Sequence, residues 1–185
     1  SHQITVIDNV APVVDPLFAN VTVNVDAGTC TKAMTLTAPT ATDKCTSPGT
    51  NITSNAPANF ILGATNVRWT IIDESGNTTI HNQTVTVVDN EGPVITGCPT
   101  EAKTATASGG SCQAVVTWPP LVATDACSGV KTFTSNYSPG SLFPVGTTTV
   151  TYTAYDKDLT NAGEGNVIIC SFNVIVADGP PTITC

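Results

Sequence analysis

The pentapeptide ATDKC stands at residues 41–45, and ATDAC follows at 123–127. A near-identical string at domain-sized separation points to a duplicated folding unit before it points to a chemical site. The landmarks around it stay in register. Cys30 precedes Cys45 by 15 residues, and Cys112 precedes Cys127 by the same 15. Gly63 precedes Asp73 by 10 residues in GATNVRWTIID, and Gly146 precedes Asp156 by 10 in GTTTVTYTAYD. The second copy then carries a longer loop, DKDLTNAGEGN against DESGN. Both copies close on alternating segments, NQTVTVVDNEGP and SFNVIVADGPP, which reach Asp89 and Asp178. On this register residues 1–8 match the closing strand of a preceding repeat, 9–89 and 90–178 are two repeats, and 179–185 open a following one. The chain thus reads as an excerpt from a longer tandem array.

Within each repeat, apolar and polar residues alternate over runs of four to eight, punctuated by Pro, Gly, Asn and Asp. That is the pattern of half-buried antiparallel strands. VTVNVD, AMTLTA, NVRWTIID and QTVTVV in the first repeat answer to AVVTW, TVTYTAY and FNVIVA in the second. Six or seven such strands per repeat predict an all-β fold, tandem immunoglobulin-like β-sandwiches. The aligned aromatics Trp69 and Tyr152 each lie four residues before an aspartate, and core packing is the expected use of their large side chains.

Composition limits the function classes. Lys and Arg number 6 against 14 Asp and Glu, a net charge of -8, so no basic groove for nucleic acid can be assembled. Apolar stretches such as NVIIC are far shorter than the roughly 20 residues that cross a bilayer as a helix, so no membrane insertion is expected of this segment. Seven cysteines, no C-x-x-C and two histidines fit a zinc site poorly and disulfides well, which implies an oxidising compartment. Export would then be directed by a leader in a larger precursor.

The succession VITGCP, CQAVVTW, ATDACSG, SNYSPGSLFPVGTTTVTYTAYD and CSFNVIVAD over residues 94–178 resembles the HYR (hyalin repeat) domain, an immunoglobulin-like module of extracellular proteins. The first repeat keeps ATDKC, FILGATNVRWTIIDESGN and VTVVD but lacks two of the cysteines. The resemblance implies an extracellular, cell-surface scaffold with no catalytic activity. The Thr- and Val-rich tandem layout is also similar to bacterial surface adhesins, including the gliding-motility type.

In register, Cys98 is set against Asp15 and Cys170 against His81, so the first repeat loses both thiols together. The economical pairing is therefore Cys30 with Cys45, Cys112 with Cys127 and Cys98 with Cys170. Cys185 remains unpaired, as the opening cysteine of a further repeat. A Cys170–Cys185 bond is the alternative, and it would strand Cys98. The aspartates at 43 and 125 are expected to cap the turn before each ATD-x-C cysteine.

Calcium is a possible ligand, although no cofactor is required. Hard cations need several oxygens, and Asp73, Asp89, Asn90, Asp156, Asp158 and Asp178 gather where strands end. Turn chemistry alone also explains their placement. An enzyme is not expected, because G-x-S-x-G, H-E-x-x-H and a phosphate-binding glycine loop are all missing from the sequence. Two functions remain. One is a rigid, disulfide-stapled stalk of a cell-surface adhesin whose partners are the neighbouring repeats. The other is a calcium-dependent module whose loops bind a glycan or protein ligand.

Overall fold

The computed structural model describes residues 2–15, 19–45, 51–108, 110–156 and 165–180. The chain divides into two compact units, Ser1–Asp89 and Asn90–Cys185. Among the described residues there is no helix, and none therefore long and apolar enough to cross a membrane.

The first unit contains β1 (Val13–Val14), β2 (Val21–Asn24), β3 (Thr31–Ala33), β4 (Ala41–Thr42), β5 (Asn51–Ser54), β6 (Asn59–Ile61), β7 (Gly63–Ile72) and β8 (Thr78–Val88). Four of these strands make one sheet in the order β2-β8-β7-β5. The other layer is assembled from two-stranded pieces, β1-β4 and β3-β6. Val14 and Phe60 from those pieces share one core with Val67, Trp69, Ile71, Val85 and Val87 of the sheet. Side chains from two facing layers that meet in one apolar core make a β-sandwich.

The second unit repeats the plan with β9 (Val94–Thr96), β10 (Lys103–Thr106), β11 (Gln113–Val116), β12 (Val122–Thr124), β13 (Val130–Ser135), β14 (Ser141–Pro144), β15 (Gly146–Asp156) and β16 (Val167–Ala177). Its sheet runs β10-β16-β15-β13, faced by β11-β14 and β12-β9. The long strand β16 buries every second residue from Cys170 to Val176, as its alternating text requires. Both units are thus immunoglobulin-like sandwiches.

Two corrections concern strands. AMTLTA contributes only Ala33 to a ladder, because the run from β3 to β4 is interrupted before Pro39; Pro119 and Pro120 stand in the matching gap between β11 and β12. Proline has no N–H to donate, so neither gap can be crossed by a continuous ladder. Met34 and Leu36 still pack against the core. Residues 2–8 form no strand, and Ile4, Val6 and Ile7 are exposed. An alternating segment needs a partner strand, and these residues have none to pair with among the described ones.

A third correction concerns the register at the first strand. Val14 pairs with Ala41, and Ile95 pairs with Ala123. Since Ala41 and Ala123 open the shared pentapeptide, Val14 corresponds to Ile95 and Asp15 to Thr96. Cys98 is thereby matched to position 17, which lies outside the described residues, rather than to Asp15. His81 and Cys170 do correspond, facing Trp69 and Tyr152 across their ladders.

Trp69 and Tyr152 are core residues. Trp69 donates its indole N–H to Gln83, whose amide in turn donates to the Ala19 carbonyl. In the second unit Tyr152 accepts from the indole of Trp118, which lies edge-on to Phe172 at 5.2 Å. Each buried ring keeps a polar partner for its N–H, which a dry core demands.

Candidate functional site

The polar residues that the two repeats share gather at the two ends of each sandwich. In the first unit the chain arrives beside the β7–β8 turn, where Asn77 Nδ2 donates to the Asp8 carbonyl and Thr79 Oγ1 donates to the Pro12 carbonyl. It departs after Val88 at the other end of β8, next to Gly63. In the second unit Asn166, just before β16, donates to the Glu91 carbonyl, and the chain departs after Ala177. Eleven strand residues at about 3.3 Å each separate the leading and trailing ends by roughly 33 Å. Gly63 and Gly146 begin β7 and β15 at the trailing ends with φ of 97° and 114°, a region that a Cβ would make strained.

Acidic residues define the leading end. Oxygens of Asp8 and Asp43 and the Cys45 sulfur lie within 4.8 Å of one another. Asp8 accepts from Val10 N–H through Oδ1, while its Oδ2 is shut off from solvent and has no hydrogen-bond partner. In the second unit Asp125 and Asp156 approach within the same 4.8 Å. Asp125 Oδ1 accepts backbone N–H bonds from Cys127, Ser128 and Gly129, and Asp43 Oδ1 accepts one from Cys45. These aspartates close the turn that follows ATD, as their side chains can reach the backbone two residues on.

Of the residues singled out as calcium ligands, Asp73 immediately follows β7 and Asp156 ends β15; both are buried, and each holds an asparagine. Asn77 Nδ2 lies 2.9 Å from Asp73 Oδ2, and Asn166 Nδ2 lies 2.6 Å from Asp156 Oδ2. Burial pushes the Asp73 carboxyl upward, but the Asn77 side chain and the Asn77, Ser75 and Gly76 backbone N–H groups outweigh it and hold the group below its ordinary value. Asp89 is the buried last residue of its unit, whereas Asn90 and Asp178 are exposed. Asp158 lies outside the described residues.

Asn77 and Asn166 were not singled out from the sequence as site residues, yet each ties the arriving chain to the aspartate at a strand end. The signal was present, since an Asn stands immediately before both closing strands. Asn77→Ala is expected to destabilise the first unit by about 1–2 kcal/mol, because the amide bonds are lost and the Asp73 carboxylate keeps an unsatisfied oxygen. Chemical denaturation followed through Trp69 measures it, and Asn166→Ala provides the matching test in the second unit.

The cysteines meet expectation at one pair and depart from it at the other two. Cys98 and Cys170 are bonded, with Cα atoms 6.0 Å apart and 72 residues between them in sequence. Cys45 and Cys112 carry free, exposed thiols, so neither the Cys30–Cys45 nor the Cys112–Cys127 loop is closed. The reason is the strand run between them. The Cys30 carbonyl accepts from Leu62 N–H at the trailing end, while Cys45 lies with Asp8 at the leading end. The Cys112 carbonyl likewise accepts from Val145 N–H, while Cys127 N–H binds Asp125, beside Asp156 at the far end of β15. The members of each expected pair thus stand at opposite ends of a sandwich, about 30 Å apart along β7 or β15, against the 4.4–6.8 Å between Cα atoms that a disulfide spans. Cys30 and Cys127 are each disulfide-bonded. Cys185 lies outside the described residues.

No platform for a sugar ring is evident among the described residues. A groove of about 580 Å³ is lined by Val10, Ala11, Val13, Thr42, Asp43 and Lys44 and has no aromatic wall. Tyr137 packs on the fully buried Phe143 at 4.8 Å, which makes the pair framework.

Residues 88–176 match the family model described as HYR domain, so the second repeat carries one. The whole chain is similar to two curated proteins. It is 37% identical over 98% of its length to a hyalin of Strongylocentrotus purpuratus and 30% identical over 97% to a hyalin of Lytechinus variegatus. It spans 15% and 34% of the length of those relatives. Among solved structures, human protocadherin-24 EC1-2 aligns with 94% of this chain and 100% of its own, at 14% identity and a TM-score of 0.42.

Proposed function

We propose that this HYR-containing chain is a non-catalytic segment of an extracellular, cell-surface adhesion protein, in which tandem sandwiches form a stalk. The observation that carries this reading is the placement of each unit's chain ends. The chain arrives at one end of a sandwich and departs from the other, about 33 Å away, so successive repeats add length. The similarity of both repeats to much longer relatives supports an array. The disulfide Cys98–Cys170 fits an oxidising location outside the cell. A gliding adhesin is one surface protein that such a stalk would serve.

Arrays of one, two and three copies of the chain test this by small-angle scattering. A maximum dimension that rises in proportion to copy number supports the stalk. One that rises with its square root or less overturns it, since that is the behaviour of flexibly joined or collapsed beads.

A second reading adds calcium at the leading end. The converging carboxylates and the solvent-excluded Asp8 Oδ2 favour it. Cation binding to the folded form alone raises stability by about 2.7 kcal/mol at a hundredfold excess over the dissociation constant. Thermal unfolding in calcium and in chelator is therefore expected to differ by several degrees, with the difference lost in Asp43→Asn or Asp125→Asn. Coincident curves in the unaltered chain return these aspartates to turn closure alone.

A further inference from the structure

The exposed thiols of Cys45 and Cys112 sit at opposite ends of the repeat plan, Cys45 at a leading end and Cys112 at a trailing end. Each repeat carries one cysteine at each end, and the strand run between them keeps the two from ever meeting. The register-equivalent of each free thiol is bonded in this same molecule: Cys127 answers to Cys45, Cys30 answers to Cys112, and both are disulfide-bonded. The two positions are therefore cystine positions by geometry, although their partners cannot come from their own repeat.

We infer that Cys45 and Cys112 are half-cystines of bonds between repeats: a trailing-end cysteine such as Cys112 bonds to the ATD-x-C cysteine of the repeat that follows it, and Cys45 accepts such a bond from the repeat before. The partner is thus another copy of this module. The inference rests on the tandem-array reading in one respect, that a neighbouring repeat is present.

The surroundings of Cys45 suit a structural thiol. Carboxylate oxygens of Asp8 and Asp43 lie within 4.8 Å of its sulfur, an electronegative setting. Reactive or catalytic cysteines sit in the opposite, electropositive kind of environment. Closure removes two protons and two electrons from the thiol pair; a low-molecular-weight disulfide takes them up and leaves as two thiols.

The test joins two copies of the chain head to tail, Asp178 of the first to Asn9 of the second, which preserves the register. Cys45→Ser in the first copy and Cys112→Ser and Cys185→Ser in the second leave one unpaired thiol at each side of the junction. After refolding in a glutathione redox buffer, the alkylatable thiol count is expected to fall from two to zero. Digestion with trypsin and an aspartate-directed protease should then yield a peptide pair linking Cys112 of the first copy to Cys45 of the second. Two fully alkylated thiols overturn the inference, provided the Cys98–Cys170 peptide pair certifies folding. The single chain gives an independent test that needs no fusion. There Cys45 and Cys112 must both remain alkylatable, and a Cys30–Cys45 or Cys112–Cys127 peptide overturns the inference outright. Scattering that grows in proportion to copy number while the thiols stay free would leave the stalk standing and remove only the bond.

Discussion

Replacing Cys98 and Cys170 together by alanine is expected to destabilise the second unit by about 4 kcal/mol, the loop entropy that a cross-link over 72 residues removes from the unfolded chain. Cys170 is core and Cys98 is partly buried against it, so alanine keeps both sites apolar and isolates the covalent constraint. The chain contains two tryptophans, one per unit. Trp69→Phe therefore leaves Trp118 as the fluorescence reporter of the second unit alone. Urea denaturation in that background should move to a lower midpoint with the alanine pair. A loss below about 1 kcal/mol would mean that the bond constrains little that the strands do not already hold.

Phe143→Ala is expected to cost about 3–5 kcal/mol, the range for deleting a fully buried phenylalanine from a core that cannot collapse around the space. Phe143 has no exposed surface and stands 6.0 Å from Trp118 and 4.8 Å from Tyr137, measured between ring centroids. Two aromatic contacts go with the side chain, which adds to the burial loss. The register partner Phe60, three residues before Gly63 as Phe143 is before Gly146, is equally buried in the first core. Phe60→Ala should accordingly lower the midpoint reported by Trp69, and Phe143→Ala the one reported by Trp118. Costs that add in the double variant are expected for residues of separate cores. A midpoint shift of less than 1 kcal/mol for Phe143→Ala would contradict the packing described.

The long strands were legible because alternation is a local property. NVRWTIID and FNVIVA already state which residues of β7 and β16 face inward, and Gly63 and Gly146 mark where β7 and β15 begin. The cysteine pairing was not legible in the same way. A spacing of 15 residues looks like a short loop, yet the alternation of AMTLTA reads as extended chain, and an extended run inside the interval carries its flanking cysteines apart. The two readings were in conflict, and only the three-dimensional path decided between them. The asparagine ties were hidden for a related reason: Asn77 reaches Asp8 across 69 residues and Asn166 reaches Glu91 across 75, separations at which local pattern says nothing. Asp125 is readable as a turn-closing residue because its N–H donors lie two to four residues away.

One pairing in each unit bears on how the molecule meets a pull. The strand β2 runs parallel to β8 from Val21 against Val85 to Asn24 against Val88, and β10 runs parallel to β16 from Lys103 to Thr106. A tension applied through the chain drags the earlier strand of each pair back toward its start and the later one onward toward its end. The hydrogen bonds between them lie across that motion and are loaded side by side, in shear, so the rungs must fail together rather than open one at a time as a hairpin would. Resistance to forced unfolding is set by the barrier to that concerted rupture, a rate rather than an equilibrium stability. Each sandwich is therefore built to yield late and abruptly under load.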